Sequence, residues 1–351
     1  MKANSPLPLW KKCVFALVAF LFFAAVLYFP SEVVFRLSQG IPVHVFNDAM
    51  THDKSVLSGD NITAMDFDSV HYYEIFQKSD NPILFYEPKP AFSKGAVHIN
   101  SHGFRDREFD LAKPADTTRI VVLGDSVIWG HGIVLADTFA KQLEDLLNER
   151  LEGNYEVLNF GVSGYSLQQE VEQYIDRASK FEPDIAILGL CINDSLYSSV
   201  EGDFFTAQDG SLFSKSYLFE NLMVKIDQLL HRYLKVPQKY LEHVVNVPAQ
   251  MKRLKDASPG VSWLILMFPR LDNLDNYKGL PEHQILTQPA RNLGLSVRDL
   301  LADYRKYASQ PLSIDPIHPN RLGNKIAAEA AYDALLQNGM IRSGERENEK
   351  E

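Results

Sequence analysis

Arg119-Ile120-Val121-Val122-Leu123-Gly124-Asp125-Ser126-Val127 is where the architecture of this chain declares itself. The first half is a short, β-branched apolar run, the composition of a strand buried in a sheet. It stops at Gly-Asp-Ser, a turn in which glycine tolerates positive φ and Asp or Ser can cap a following helix. Beyond it, Thr138 to Leu151 carries apolar residues at helical spacing, so the unit reads as strand, turn, helix. The rhythm recurs with Glu156 to Phe160 as a strand, Leu167 to Phe181 as a helix and Asp184 to Leu190 as a wholly apolar strand. A helix at about 238–257, a strand from Ser262 to Phe268 and a helix from Asn320 to Leu336 complete the alternation. Such alternation predicts a parallel sheet with helices on both faces, a doubly wound α/β body spanning residues 116–340.

Outward from that body the texture changes. Residues 31–115 lack helical periodicity and mix Pro, Asn, Gly and aromatic residues, which predicts an irregular, strand-poor, exported lead-in. Residues 195–237 break the αβ rhythm and read as an insertion near the rim of the site, and 341–351 is a polar tail expected to be disordered. At the other end, Lys2, Lys11 and Lys12 precede an uncharged apolar run from Cys13 to Phe29. Residues 1–12 are therefore expected in the cytoplasm and 13–30 as a single transmembrane signal-anchor helix, with everything beyond it periplasmic or extracellular. A cleaved signal peptide is the competing reading, although only Ser38-Gln39-Gly40 offers a small-residue cleavage site and the apolar run is long for one.

Of 351 residues, 46% are apolar and 23% charged, an ordinary globular composition. A formal charge of −10 excludes a protein whose main partner is nucleic acid, because binding a phosphate backbone requires a basic surface. Cys13 and Cys191 fall in the apolar N-terminal run and after a buried strand, so no bridge between them is expected. The absence of a Cys/His cluster, a recognised metal-ligand motif, a Gly-x-Gly-x-x-Gly or a Walker loop leads to an expectation of no metal and no cofactor.

In an open parallel sheet, ligands bind beyond the carboxyl ends of the strands, and four polar segments stand at or near such positions. Gly124-Asp125-Ser126 can lift a hydroxyl out of the sheet, although many such triplets are simple turns. The Asn159 to Ser166 turn is glycine-rich, with backbone N–H groups available to a developing oxyanion; its plainer reading is a strand-to-helix loop built of small residues. Cys191-Ile192-Asn193-Asp194 offers a neutral amide donor in Asn193, or else a helix cap. Asp315-Pro316-Ile317-His318-Pro319-Asn320 spaces a carboxylate three residues before an imidazole, which can orient a general base. That spacing alone is weak, since Asp68-Ser69-Val70-His71 shares it.

Taken in order, these four segments resemble the blocks of the SGNH, or GDSL, serine hydrolase superfamily, over about Arg119 to Leu336. The resemblance implies a flavodoxin-like three-layer α/β/α sandwich and a triad in which Ser126 attacks, His318 is base and then acid, and Asp315 orients His318. It also implies an oxyanion hole made by the Ser126 N–H, the Gly164 N–H and the Asn193 side chain. Many members have Gly two residues before that Asn, where this chain has Cys191, which either narrows the pocket or, the favoured reading, packs as a small apolar residue. Cys191 as a nucleophile lacks a base of its own in the nearby sequence. His131 either lines the pocket or sits in a polar loop. The lead-in stretch Asn100 to Asp106 resembles one found in membrane-anchored bacterial members, with Arg105 expected to dock on the body through a carboxylate.

The function this implies is a membrane-anchored esterase acting through an acyl-Ser126 intermediate on an acyl ester, with an O-acetyl group on a surface glycan as one candidate. An O-acyltransferase with the same triad, handing the acyl group to a polysaccharide hydroxyl, is the near alternative. A lipid or thioester hydrolase ranks third. A non-catalytic glycan-binding or assembly protein on the same fold is the alternative from another class.

Overall fold

The computed structural model describes residues 72–195 and 245–342, which enter through a short helix, α1 (Tyr72–Ile75), and two antiparallel strand pairs. The pairs are β1 (Phe76–Lys78) with β2 (Tyr86–Pro88) and β3 (Ser93–Lys94) with β4 (Val97–His98). Five longer segments then make a parallel sheet: β5 (Thr117–Gly124), β6 (Asn154–Asn159), β7 (Ile185–Leu190), β8 (Ser262–Met267) and β9 (Ser296–Asp299). Their spatial order is β6-β5-β7-β8-β9. Counted along the chain within this sheet, that is 2-1-3-4-5, the flavodoxin-like order, with a topological switch point between β5 and β7.

Strand alternation sorts the core into two layers. Ile120 and Val122 of β5 face helices α3 (Phe139–Arg150) and α8 (Arg321–Gln337), through Leu143, Leu147, Ile326 and Ala330. Val121 and Leu123 face the other way, toward α4 (Leu167–Asp176), α5 (Val247–Asp256) and α6 (Leu280–Asn292), through Val171, Met251 and Leu286. Both faces of β7 are covered, so all six of its residues are buried, and that is why the strand is apolar throughout. Each such aliphatic side chain contributes about 1.5–3 kcal/mol on full burial.

Several boundaries differ from the sequence reading for identifiable reasons. The helix expected over Leu167 to Phe181 ends at Asp176, and Ala178–Phe181 forms a 3-10 turn. Three residues per turn put Ala178 and Phe181 on one side, and both are buried among Phe104, Phe109 and Phe160. Within the described part of the stretch expected at 238–257, helix α5 starts at Val247, with Asn246 capping it through the Ala249 N–H and Pro248 in its first turn. Strand β9, helix α6 and a short helix α7 (Leu301–Arg305) were not anticipated.

The described part of the lead-in is a fastened element of the body. Tyr86 Oη donates to the Ser163 carbonyl at 2.8 Å while Tyr165 Oη donates to the Tyr86 carbonyl at 2.5 Å. Asp106 is buried, accepting from the Asn159 N–H at 2.8 Å and pairing with Lys141 at 2.8 Å. The docking of Arg105 rests on backbone carbonyls: the guanidinium, 1% exposed, donates to Trp129, Gly130 and Ile133 at 2.7, 2.6 and 2.5 Å.

Among the described residues no helix is long and apolar enough to cross a membrane. The anchor expected at 13–30, the expected insertion beyond Ser195 and the polar tail from residue 343 lie outside the described residues. The described residues stop at Ser195 and resume at Val245, whose N–H donates to the Ser195 carbonyl at 2.9 Å.

Candidate functional site

Ser126 opens a one-turn helix, α2 (Ser126–Trp129), directly after β5. Asp125 caps it by accepting from the Val127 N–H at 2.9 Å. The turn is tight because Gly124 has no side chain: a Cβ there would stand 2.8 Å from the Gly189 carbonyl oxygen of β7. The close approach of β5 and β7 at their carboxyl ends therefore fixes where the Ser126 hydroxyl emerges.

His318 comes from a loop at the far end of the sequence. Ser313 bridges Pro319, the Ile314 N–H donates to the His318 carbonyl at 3.0 Å, and Asn320 caps α8 through the Gly323 N–H. The loop carries the imidazole to Ser126, with Oγ and Nε2 separated by 2.8 Å across 192 residues of sequence. The other ring nitrogen, Nδ1, lies 2.5 Å from Asp315 Oδ2. Asp315 Oδ1 in turn accepts the backbone N–H groups of Ile317 and His318 at 2.7 and 2.8 Å.

This arrangement fixes the tautomer by chemistry. An ionised carboxylate cannot donate, so Nδ1 carries the proton and Nε2 presents its lone pair to the Ser126 hydroxyl. Burial pushes the Asp315 carboxyl up, but the hydrogen bonds from the His318 ring and backbone, with the Ile317 N–H, outweigh it and hold the group well below the ordinary carboxylate range. His131 lies beside this pair, its ring centroid 4.5 Å from that of His318.

The expected oxyanion donors sit on the neighbouring turns. Gly164 adopts a positive φ of 84°, available to glycine at little cost, in a turn held against β5 by the Val162 N–H on the Gly124 carbonyl at 3.0 Å. Among the described residues neither the Ser126 N–H nor the Gly164 N–H has an acceptor. Asn193, exposed at the end of β7, donates from Nδ2 to Asp125 Oδ2 at 3.0 Å, and the Ser126 hydroxyl lies 3.4 Å from the same oxygen. One Nδ2 hydrogen is thereby used and one is left.

A family model described as the GDSL-like Lipase/Acylhydrolase family matches residues 122–326, more than half of the chain and all of the segments just described. The chain belongs to the GDSL-like lipase/acylhydrolase family. GDSL membership makes it an esterase or acylhydrolase, an enzyme acting on ester bonds. Solved structures similar to this GDSL chain include a catalytic mutant of Axe2, an acetylxylan esterase from Geobacillus stearothermophilus, at 14% identity and a TM-score of 0.43, covering 65% of this chain and 97% of that one. Others are TesA, at 15% identity and 0.40, covering 64% and 100%, and CEX, a two-domain esterase active on acetylated mannans, at 16% and 0.39, covering 66% and 51%. No curated protein matches the chain.

Sequence reasoning passed over three features of this GDSL site. Asp125 was read as a turn residue, yet its carboxylate takes hydrogen bonds from the Val127 N–H and Asn193, with the Cys191 sulfur 3.1 Å away. Glu170 of α4, 1% exposed, has no hydrogen-bond partner on either carboxylate oxygen among the described residues. Desolvation first, then the charges of Asp194 and Asp125, push its carboxyl well above the ordinary range. Lastly, Tyr277 Oη lies 2.6 Å from His283 Nε2, and His283 Nδ1 lies 2.7 Å from Asp299 Oδ2, pinning the loop after β8 near the Asp315 turn. Its Leu271 N–H donates to the Pro316 carbonyl at 2.8 Å. Only Asp125, inside the Gly-Asp-Ser turn, carried a sequence signal that could have found it.

Proposed function

We propose that the protein is a serine esterase whose nucleophile is Ser126, with His318 as general base and acid and Asp315 as the group that orients it. The observation that carries this reading is the unbroken Ser126–His318–Asp315 hydrogen-bond chain, 2.8 and 2.5 Å long. Nε2 takes the hydroxyl proton as Oγ attacks the carbonyl carbon of the ester. The oxyanion that forms is stabilised by the Ser126 and Gly164 N–H groups and the second Nδ2 hydrogen of Asn193, donors typically worth about 3 kcal/mol each. Collapse expels the alcohol, which takes the proton from His318 and leaves an acyl ester on Ser126. Water, deprotonated by the same imidazole, then releases the acid.

In this reading residues 116–340 form the catalytic domain, residues 13–30 hold it to a membrane, and the domain is exported. Support for the anchor is the flanking Lys2, Lys11 and Lys12 and the uncharged run that follows them. Alkaline carbonate extraction of membranes from producing cells should leave the full-length chain in the pellet; its appearance in the supernatant would remove the anchor.

The test of the chemistry is mass spectrometry after exposure to a fluorophosphonate probe and, separately, to p-nitrophenyl acetate, with Ser126→Ala as control. A single adduct on Ser126 that turns over rapidly supports the esterase. An acetyl adduct that persists until a sugar hydroxyl is supplied would replace it with a transferase, and a folded protein that takes no adduct would overturn the triad.

A further inference from the structure

Asn193 can serve the oxyanion only if its carboxamide faces the right way, and two neighbours decide that. Asp125 Oδ2 can only accept, so the Asn193 atom 3.0 Å from it must be the amide nitrogen. The amide oxygen, Oδ1, then faces Cys191, whose Sγ lies 2.7 Å away. Cys191 is 3% exposed, directly after β7, with its backbone N–H held by Asp194 Oδ2 at 2.6 Å, so the sulfur has little freedom to move.

A thiol has one hydrogen to give, and besides Asn193 Oδ1 the acceptors in reach are Asp125 Oδ2 at 3.1 Å and Asp194 Oδ1 at 3.6 Å. Asn193 Oδ1 is the nearest of these acceptors and has no other donor among the described residues, whereas Asp125 Oδ2 is farther from the sulfur and already accepts from Asn193 Nδ2. The thiol hydrogen therefore belongs on Asn193 Oδ1. From this geometry we infer that Cys191 is a positioning residue for the esterase reaction: its S–H bond to Oδ1 locks the Asn193 carboxamide so that the free Nδ2 hydrogen stays available to the oxyanion.

The inference rests on the reading of Asn193 as an oxyanion donor. Loss of the thiol hydrogen would set a sulfur lone pair against the amide oxygen and destroy the lock. Burial first, then the charges of Asp125 and Asp194, push the thiol well above its ordinary range and keep it protonated. The same protonation explains why Cys191, although near Ser126, is not a second nucleophile.

The experiment is steady-state hydrolysis of p-nitrophenyl acetate by the full-length chain, with rates normalised to sites titrated by a fluorophosphonate. We expect Cys191→Ala to lower kcat by about 5- to 10-fold with KM unchanged, the effect of one neutral hydrogen bond. Cys191→Ser, which keeps a donor, should recover kcat to within about 2-fold of the native enzyme. Asn193→Ala should cost about 100-fold, and adding Cys191→Ala to it should cost nothing more, because there is no carboxamide left to position. Cys191→Val, a donor-free side chain that fills the space, carries the same expectation if the alanine variant does not fold. Full kcat in the alanine or valine variant, a serine variant no better than alanine, or losses that multiply in the double variant would overturn the positioning role while leaving the oxyanion reading intact. An Asn193→Ala enzyme with undiminished kcat would overturn both.

Discussion

The imidazole of His318 is held at both nitrogens, and its two partners should respond differently to substitution. Ser126→Ala removes the proposed nucleophile and should abolish acylation while leaving the unfolding temperature nearly unchanged. Asp315→Asn keeps the shape but can donate to Nδ1, favouring the wrong tautomer; kcat should fall by about 10⁴-fold, measured on p-nitrophenyl acetate. The depressed Asp315 carboxyl also carries a pH signature. Its stabilising contribution is complete above the ordinary value of 3.8 and is lost as pH falls through the lower folded-state value, so the stability gap between native and Asp315→Asn proteins should close only below about pH 4. Glu170 has the opposite sign. Its raised carboxyl costs nothing below the ordinary 4.5, and the penalty grows as pH rises and the unfolded chain ionises first. Glu170→Gln should thus raise the melting temperature at pH 7 by ~2–4 °C or more, the shift that about 1 kcal/mol gives in a domain of this size, and lose that advantage by pH 4. Equal melting curves at pH 7 would show that the buried carboxyl is not a burden.

At the level of elements, the lead-in and the Ser126 helix stand or fall together. Arg105 satisfies three carbonyls at and beyond the end of α2, and each buried carbonyl left without a donor costs about 1–3 kcal/mol. Arg105→Lys keeps the charge but cannot span the three as a planar fork does, so it should melt well below the native protein and titrate fewer fluorophosphonate-reactive sites. An Arg105→Lys protein as stable as native would reduce the lead-in to a passive cover. That Arg105 docks on the body was expected from the sequence, but through a carboxylate; its carbonyl partners were not legible, since they lie 24 to 28 residues later. What could be read were stretches whose burial is uniform: β7 throughout, β5 from Ile120 and β8 from Trp263 are apolar because both faces are covered there. Strand β9 hid because Ser296-Val297-Arg298-Asp299 lies at the sheet edge, only partly buried, with no apolar alternation. Helix α6 carries two prolines, residues a helix pattern does not favour: Pro281 falls in a first turn that needs no N–H, and Pro289 lies inside the helix. The site segments were legible because each lies in a local turn near an element end. The Asp125–Asn193–Cys191 linkage was not, because it ties two strands through side chains 66 and 68 residues apart.

Across the whole molecule, the sheet order sets Ser126 at the switch point between β5 and β7, and the last loop before α8 returns His318 to it. The site is thus complete only when the first and last parts of the body have met, and truncation before α8 should abolish fluorophosphonate labelling rather than weaken it. The Ser195–Val245 hydrogen bond has a further consequence. The body itself brings Ser195 and Val245 within one hydrogen bond, so the turn that ends β7 and the start of α5 are fastened to each other by backbone alone. Ser195 lies two residues beyond Asn193, and the same bond therefore steadies the turn from which the Asn193 amide reaches Asp125.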